Sequence, residues 1–528
     1  MEFQRLIEAL SRSEAYPHPV DGVSVLQTHI SGLFLAGPYA YKVKKPLNLS
    51  FLDFSTLERR RQFCREEVRL NRRLAPGVYL DVLPVTLREG RVRMGGEGEI
   101  VDYAVQMKRL PEERTLLRIL QRGRLEAATL QELARRIAAF HESAESSGEI
   151  SRWGRWEVVA GNSRENFEQV KPSVGLSLSR RVFEKIRALT ERELERRRPC
   201  IESRAERGVP RDTHGDLHLD HVYFFPDERP PGDLVILDCI EFNERFRYAD
   251  PAADSAFLAM DLEFRGRRDL SRLFTDAYFA ASGDEGGREV LPFYKAYRAV
   301  VRGKVEGIKA REAEVPALER DRALQGAKSH FLLALEILAS PAERPCLVLV
   351  GGLPGTGKTL LAGRLERLSG FARIASDVVR KELAGVRERE ETAAPFGEGI
   401  YTDEWNDRTY TACLERAEAH LFEGKRVLVD ASFREERRRR AFLEAAHRWG
   451  VPVLFLQCEA DAELVKARLE RRGRDFSDAD WKIYRESAAG WEPLGNETAR
   501  VARPVPNTGK PEEAVKTALG ILSAEGLV

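Results

Sequence analysis

The pattern of hydrophobic and polar positions changes period twice along the chain. Over the first hundred residues apolar and polar side chains alternate, as in Val23 to His29, Leu33 to Lys44, Leu80 to Leu87 and Val101 to Met107. Such alternation predicts strands that turn one face to a core. One helix interrupts them: from Leu57 to Leu74 the residues Phe63, Val68, Leu70 and Leu74 recur near helical spacing, and Pro76-Gly77 ends the run. From Leu116 the period becomes helical, with Leu130, Leu133, Ile137, Ala138 and His141 on one face. A hairpin is set among the helices, Val222 to Phe225 and Leu234 to Leu237 about the turn Pro226 to Gly232. The polar, proline-bearing stretch Ala339 to Pro345 makes the best linker, with a boundary near Pro341. Beyond it the strand-like runs Cys346 to Val350, Arg373 to Ala375, Arg426 to Val429 and Val453 to Gln457 alternate with helical segments, as in a parallel α/β sheet.

Composition narrows the picture. With 528 residues, the chain calls for two to four domains, and 43% hydrophobic against 32% charged residues makes them globular. Lys plus Arg number 85 and Asp plus Glu 84, for a net charge of +1, so no global field draws the protein to nucleic acid or anionic lipid. The arginine runs Arg59 to Arg61, Arg196 to Arg198 and Arg437 to Arg440 sit beside glutamates and read as solvated helix faces. Six dispersed cysteines without a CxxC pair suggest neither a zinc site nor a disulfide framework. Met1 to Tyr16 reads as a charged amphipathic helix rather than a signal peptide, and no run reaches the ~20 apolar residues of a membrane span. A cytoplasmic protein is expected.

The strongest chemical signal is Gly352, Leu353, Pro354, Gly355, Thr356, Gly357, Lys358 and Thr359, which match G-x-x-x-x-G-K-[ST] directly after a strand and at the start of a helix. Glycines let backbone N–H groups turn inward around phosphates, Lys358 reaches the β and γ phosphates, and Thr359 supplies a Mg2+ ligand. ATP and Mg2+ are therefore the expected cofactors. Asp430 ends the apolar strand Val427 to Asp430, as a Walker B magnesium ligand does, reached directly or through water. Asp377, in the segment Ser376 to Lys381 after another short strand, suits a base that takes a proton from an acceptor hydroxyl, with Arg380 near phosphate charge. The arginines Arg468, Arg472 and Arg474 lie on a helix and the loop after it, where such side chains close over a transferring phosphoryl group.

Together these segments resemble the small P-loop kinases of the zeta-toxin, polynucleotide-kinase and gluconate-kinase type, from about Pro345 to the C-terminus. The resemblance implies transfer of the ATP γ phosphate to a hydroxyl, with Asp377 as base, Asp430 near magnesium, and Arg468, Arg472 and Arg474 in the lid.

The preceding part has its own constellation. His214 to His218 stands just before the hairpin, Asp216 lies within it and Asp238 ends the partner strand, a plausible base and metal-ligand pair for phosphoryl transfer. Lys42 and Lys44 share one face of a strand, and the inserted helix offers Glu66 and Glu67 as partners. With Tyr103 to Pro111 as hinge and Asp250 to Asp254 after the metal segment, this resembles the aminoglycoside phosphotransferase and choline-kinase branch of the protein-kinase-like fold, over roughly Val23 to Leu338. The resemblance implies Asp216 as catalytic base, Asp238 as magnesium ligand, Lys42 as phosphate-holding lysine and Glu67 as its partner, with Lys44 and Glu66 as runners-up. It departs from the family at His221, where a magnesium-binding asparagine is usual, since imidazole suits a hard cation poorly. Asp220 or Glu241 are candidates to compensate, and no phosphate-covering loop is evident between Thr28 and Tyr39.

The expected architecture is a bilobal protein-kinase-like domain over 1–340, with a small lobe at about 23–110 and a large lobe at about 111–338, followed by a parallel-sheet P-loop NTPase α/β domain over 341–528. The expected function is a bifunctional kinase acting on hydroxyl groups of small molecules such as sugars, amino sugars or aminoglycosides. The alternatives are an N-terminal pseudokinase that serves the P-loop domain, and a kinase of polynucleotide ends, against which the balanced charge argues.

Overall fold

The period-two pattern of the first hundred residues builds a six-stranded antiparallel sheet in the computed structural model, which describes residues 2–49, 52–385, 399–471 and 481–528. Its strands run in the order Val23–Gln27, Ser31–Ala36, Tyr39–Lys44, Glu99–Lys108, Tyr79–Arg88 and Arg91–Met94. The single stretch expected from Leu33 to Lys44 is two strands, because Gly37 takes a φ of 56° and reverses the chain. One sheet face packs on the N-terminal helix Phe3–Leu10 through Leu6, Ile7 and Leu10. The opposite face carries Ala40, Val105 and Met107 and packs on Cys64 and Val68 of the helix Leu57–Asn71. Thr56 caps that helix, its hydroxyl accepting the Arg59 N–H at 3.3 Å.

Packing density divides the chain into two units, one comprising Met1–Gly161, Arg197–Glu263 and Arg267–Tyr294, the other Asn162–Arg196, Phe264–Gly266 and Lys295–Val528. The first unit holds the antiparallel sheet, helices such as Ala127–Ser143 and Pro251–Phe264, and the short hairpin Val222–Phe224 with Leu234–Ile236. The second holds a five-stranded parallel sheet in the order Ala372–Ala375, Arg426–Asp430, Cys346–Gly351, Val453–Glu459 and Ala502–Pro506. Its central strand is buried along its whole length, which explains the unbroken apolar run Cys346 to Val350. The apolar side chains of Val348, Val350, Leu428, Leu454 and Leu456 pack with Leu361 and Leu365 of the P-loop helix Lys358–Ser369 and with Ala518 and Leu522 of the C-terminal helix Pro511–Ala524. The architecture is thus mixed α/β with a parallel-sheet P-loop domain at its C-terminal end. Among the described residues no helix is long and apolar enough to cross a membrane.

Candidate functional site

The parallel sheet brings the P-loop chemistry to the C-terminal ends of its strands, where open α/β sheets form their binding crevice. Val350 is in register with Asp430, and Asp430 with Ala375, so the P-loop, the strand-ending carboxylate and the segment after Ala375 are neighbours. The glycines of the P-loop are required by its shape. Gly352, Gly355 and Gly357 have φ values of 146°, 79° and 89°. A Cβ on Gly352 would stand 2.6 Å from the Cys458 carbonyl oxygen, and one on Gly355 2.6 Å from Cγ1 of Val465. The buried side chain of Asn507, just past the edge strand Ala502–Pro506, donates to the Thr356 carbonyl at 2.7 Å and so fixes the loop. A pocket of about 180 Å³ opens beside the loop, walled by Gly352, Leu353, Gln457, Glu459 and Trp491 among others.

Asp430 is 4% exposed and accepts from the Arg373 guanidinium at 2.7 Å. Burial raises its pKa, and Lys358 and Arg373 pull it back only in part. A buried carboxylate faced by cations beside a glycine cradle fits a divalent ion and a polyphosphate. Asp377 begins the helix Ser376–Leu383 and is exposed, whereas Arg380 is buried and donates to the Ile400 carbonyl at 2.8 Å. Arg380 is therefore at least partly committed to its own fold. Arg468 lies on the helix Ala462–Arg471, whose Val465 and Leu469 side chains press on Gly355. Its Nη1 is buried with no hydrogen-bond partner among the described residues, an orphan donor on the helix face that meets the loop. Arg472 and Arg474 lie outside the described residues.

In the first unit the strand Tyr39–Lys44 presents Lys42 and Lys44 on one side, and both reach Glu67 of the helix Leu57–Asn71. The Lys42 ammonium lies 2.9 Å from Glu67 Oε1 and 2.7 Å from Asp238 Oδ1. Lys44 lies 2.6 Å from Glu67 Oε2 and also pairs with Glu241. Burial works to raise the Glu67 pKa, and the two ammonium groups overcome it and hold the carboxyl below its ordinary value. Burial likewise opposes the charge of Lys42, and Asp238 with Glu67 outweighs it, leaving the ammonium well above its ordinary value. Asp238 is depressed too: burial pushes its pKa up, while Lys42 and then His221 pull it down further. The structure joins Lys42, Glu67 and Asp238, and it separates the runner-up Glu66, which is engaged by Arg69 at 2.5 Å. Glu241 is buried against Lys44, so it does not stand in for the asparagine. The turn between the first two strands is tight, Thr28 N–H donating to the Ser31 carbonyl at 2.9 Å.

The loop that carries Asp216 is held from below. The Asp254 carboxylate accepts the N–H groups of His214 at 3.0 Å and Gly215 at 2.9 Å. His141 lies 3.1 Å from the same carboxylate and 2.8 Å from the Tyr278 hydroxyl, a structural placement. Asp238 adopts a φ of 60°, and its N–H donates to the Tyr79 hydroxyl at 3.2 Å. A carboxylate residue tolerates this left-handed conformation, which turns its side chain out of the strand direction. His221 lies 3.7 Å from Asp216 Oδ2 through Nδ1 and 3.8 Å from Asp238 Oδ2 through Nε2, so it bridges the two carboxylates. Burial, then the neighbouring His218, push its pKa down to about 4.

Sequence reasoning passed over Asn507, Arg373 and Tyr79. Arg373 was visible only as the start of a strand, and its pairing with Asp430 depends on which strands lie side by side. Asn507 follows the fifth strand, which the pattern of apolar residues did not announce.

Comparisons with known proteins bear on the C-terminal part most directly. Residues 347–493 match the AAA_33 family, described as an AAA domain; the span takes in the P-loop, Asp377, Asp430 and Arg468. Among solved structures, a sugar kinase from Janibacter sp. HTCC2649 is 22% identical and aligns over 34% of this chain and 95% of its own, with a TM-score of 0.28. A gluconokinase from Sinorhizobium meliloti 1021 is 19% identical over 34% of this chain and 93% of its own, with a TM-score of 0.27. Much longer matches exist to the uncharacterized proteins Rv2004c of Mycobacterium tuberculosis (strain ATCC 25618 / H37Rv) and Mb2027c of Mycobacterium bovis (strain ATCC BAA-935 / AF2122/97). Each is 31% identical over 475 residues, 89% of this chain and 91% of the relative. An alignment of that length is longer than either packed unit, and the chain belongs to the family of the uncharacterized protein Rv2004c, with a P-loop domain of AAA type in its C-terminal part.

Proposed function

We propose that the chain is a two-site, ATP-dependent phosphotransferase that transfers the γ phosphate to hydroxyl groups of small molecules. In this reading a protein-kinase-like domain resembling aminoglycoside phosphotransferases spans 1–340 and a P-loop kinase domain spans 341–528. The observation that carries it is the glycine cradle of the P-loop. Its φ values of 146°, 79° and 89°, its helix starting at Lys358 and its carboxylate neighbour Asp430 are arranged for a triphosphate and a divalent ion.

ATP with Mg2+ supplies the transferable phosphoryl group at this site. Backbone N–H groups from Gly355 to Thr359 bind and orient the phosphates, Lys358 neutralises them, and Thr359 and Asp430 hold the ion. Asp377 accepts the proton of the acceptor hydroxyl, and Arg468, whose Nη1 is buried with no hydrogen-bond partner among the described residues, supplies positive charge to the phosphates. In the N-terminal site Lys42, oriented by Glu67, binds phosphate oxygens, Asp216 accepts the hydroxyl proton, and Asp238 with His221 faces the cation.

Labelled ATP incubated with the full chain and panels of sugars, amino sugars, aminoglycosides, nucleosides and oligonucleotides tests the proposal. Lys358→Ala and Asp216→Asn are each expected to abolish a different set of products. Loss of all transfer in Lys358→Ala with no effect of Asp216→Asn would reduce the N-terminal part to a binding module. Absence of any change in both variants would refute the phosphotransferase reading.

A further inference from the structure

His221 is the residue that fits the N-terminal site least well if its cation is magnesium, and its surroundings suggest a different ion. Asp216, His218 and His221 each place a donor atom within 4.8 Å of the other two. Nε2 of His218 is 3.5 Å from Asp216 Oδ2, and Nε2 of His221 is 3.8 Å from Asp238 Oδ2. Two ligands on one ion, each about 2.1 Å from it, stand about 3–4 Å apart, so each of these pairs is spaced as two ligands of one ion are.

The orientation of the rings is a second, independent indication. Nδ1 of His221 lies 2.9 Å from the Asp216 carbonyl oxygen. A carbonyl only accepts, so Nδ1 carries the proton and Nε2 keeps its lone pair on the side of Asp238 Oδ2, 3.8 Å away. That is the arrangement in which a backbone acceptor fixes the tautomer of a metal-binding imidazole. His214 is excluded by the same logic, because its Nε2 donates to the Leu237 carbonyl at 2.8 Å and its Nδ1 accepts from Asp216 N–H at 3.3 Å. The loop is preorganised as well: the Leu219 N–H donates to Asp261 at 3.0 Å, and Asp254 holds His214 and Gly215. Asp238 spends Oδ1 on Lys42 and turns Oδ2 to His221, so one oxygen remains for an ion.

We propose that His218, His221 and one oxygen each of Asp216 and Asp238 form a mixed nitrogen and oxygen site for a borderline divalent cation, of the class of Co2+, Zn2+ or Mn2+, which it binds in preference to Mg2+ and without nucleotide. Two imidazoles favour such ions, whereas Mg2+ prefers an octahedron of oxygens and keeps its water. The ion's part in transfer rests on the reading of the N-terminal site given above, while its binding does not.

The test is titration of the metal-stripped full chain with Co2+ in the absence of nucleotide, followed by visible absorption. One equivalent is expected to bind, to be displaced by Zn2+, and to withstand a large excess of Mg2+. His218→Ala and His221→Asn, each checked for folding by circular dichroism, are expected to weaken binding at least roughly tenfold. No Co2+ spectrum, displacement by equimolar Mg2+, or unaltered binding in both folded variants would overturn the proposal. Transfer from labelled ATP, assayed on the same samples, separates the two ideas. Co2+ binding without any transfer leaves the cation site standing and removes the transferase reading, and Mg2+-supported transfer without Co2+ binding does the reverse.

Discussion

Lys44 is wholly buried between two carboxylates, and at this scale the account makes its most direct energetic statement. A buried ion network adds little net stability, but removing one partner leaves uncompensated charge. Lys44→Met is therefore expected to destabilise the chain by about 3–5 kcal/mol in a urea titration followed by circular dichroism, and a loss below about 1 kcal/mol would contradict the network. The Glu67 carboxyl is held below its ordinary value, so its contribution is complete above the unfolded pKa and is lost as pH falls through the folded one. Wild type should thus lose thermal stability between about pH 5 and pH 3 more steeply than Glu67→Gln. Equal slopes would show that Glu67 titrates as it does in the unfolded chain. Much of this site was legible in the sequence, because strand alternation puts Lys42 and Lys44 on one face and motif spacing marks Asp216 and Asp238. The preference for Glu67 over Glu66 rested on the family resemblance alone, since helical neighbours point about 100° apart and packing on the sheet selects one. The engagement of Glu241 with Lys44 was not legible, since it joins positions 197 residues apart.

At the scale of elements, the helix Ala462–Arg471 and the P-loop explain each other. Gly355→Ala forces a Cβ to within 2.6 Å of Val465 on a residue with a φ of 79°. It is expected to cost about 1–3 kcal/mol in thermal unfolding and to weaken ATP binding, and full stability with full affinity would show that the loop has another shape. Arg468→Ala removes an Nη1 donor that has no hydrogen-bond partner among the described residues, so stability should hold while kcat falls by roughly 10²-fold and KM changes little. A fall in melting temperature with unchanged kcat would make Arg468 a packing residue. The sequence announced four of the five parallel strands because each is an apolar run between helical segments. It concealed Ala502–Pro506, whose Pro504 and Pro506 argue against a strand in general and are compatible with one only at a sheet edge, where the observed order places it. The division of Leu33 to Lys44 into two strands was hidden for a related reason: alternation continues through Gly37 although the backbone turns back there.

For the whole molecule, the sequence boundary at Pro341 and the packed units differ, because helices such as Ala317–Leu338 pack with residues that follow them in the chain. Linker composition marks where a chain is polar and extended, not which helices later share a core. The proposed two-site reading predicts that activities separate: Asp216→Asn should leave P-loop transfer within about twofold of wild type, since sites that share no residues act additively. Loss of both activities in Asp216→Asn, with the fold intact by circular dichroism, would mean a single coupled site. The most direct test of the account is calorimetric titration of the full chain with ATP, with and without Mg2+, in wild type and Lys358→Ala. Magnesium-dependent binding at the P-loop site in wild type, lost in the variant, is the predicted result. No binding in wild type, or identical isotherms for the two proteins, would contradict it.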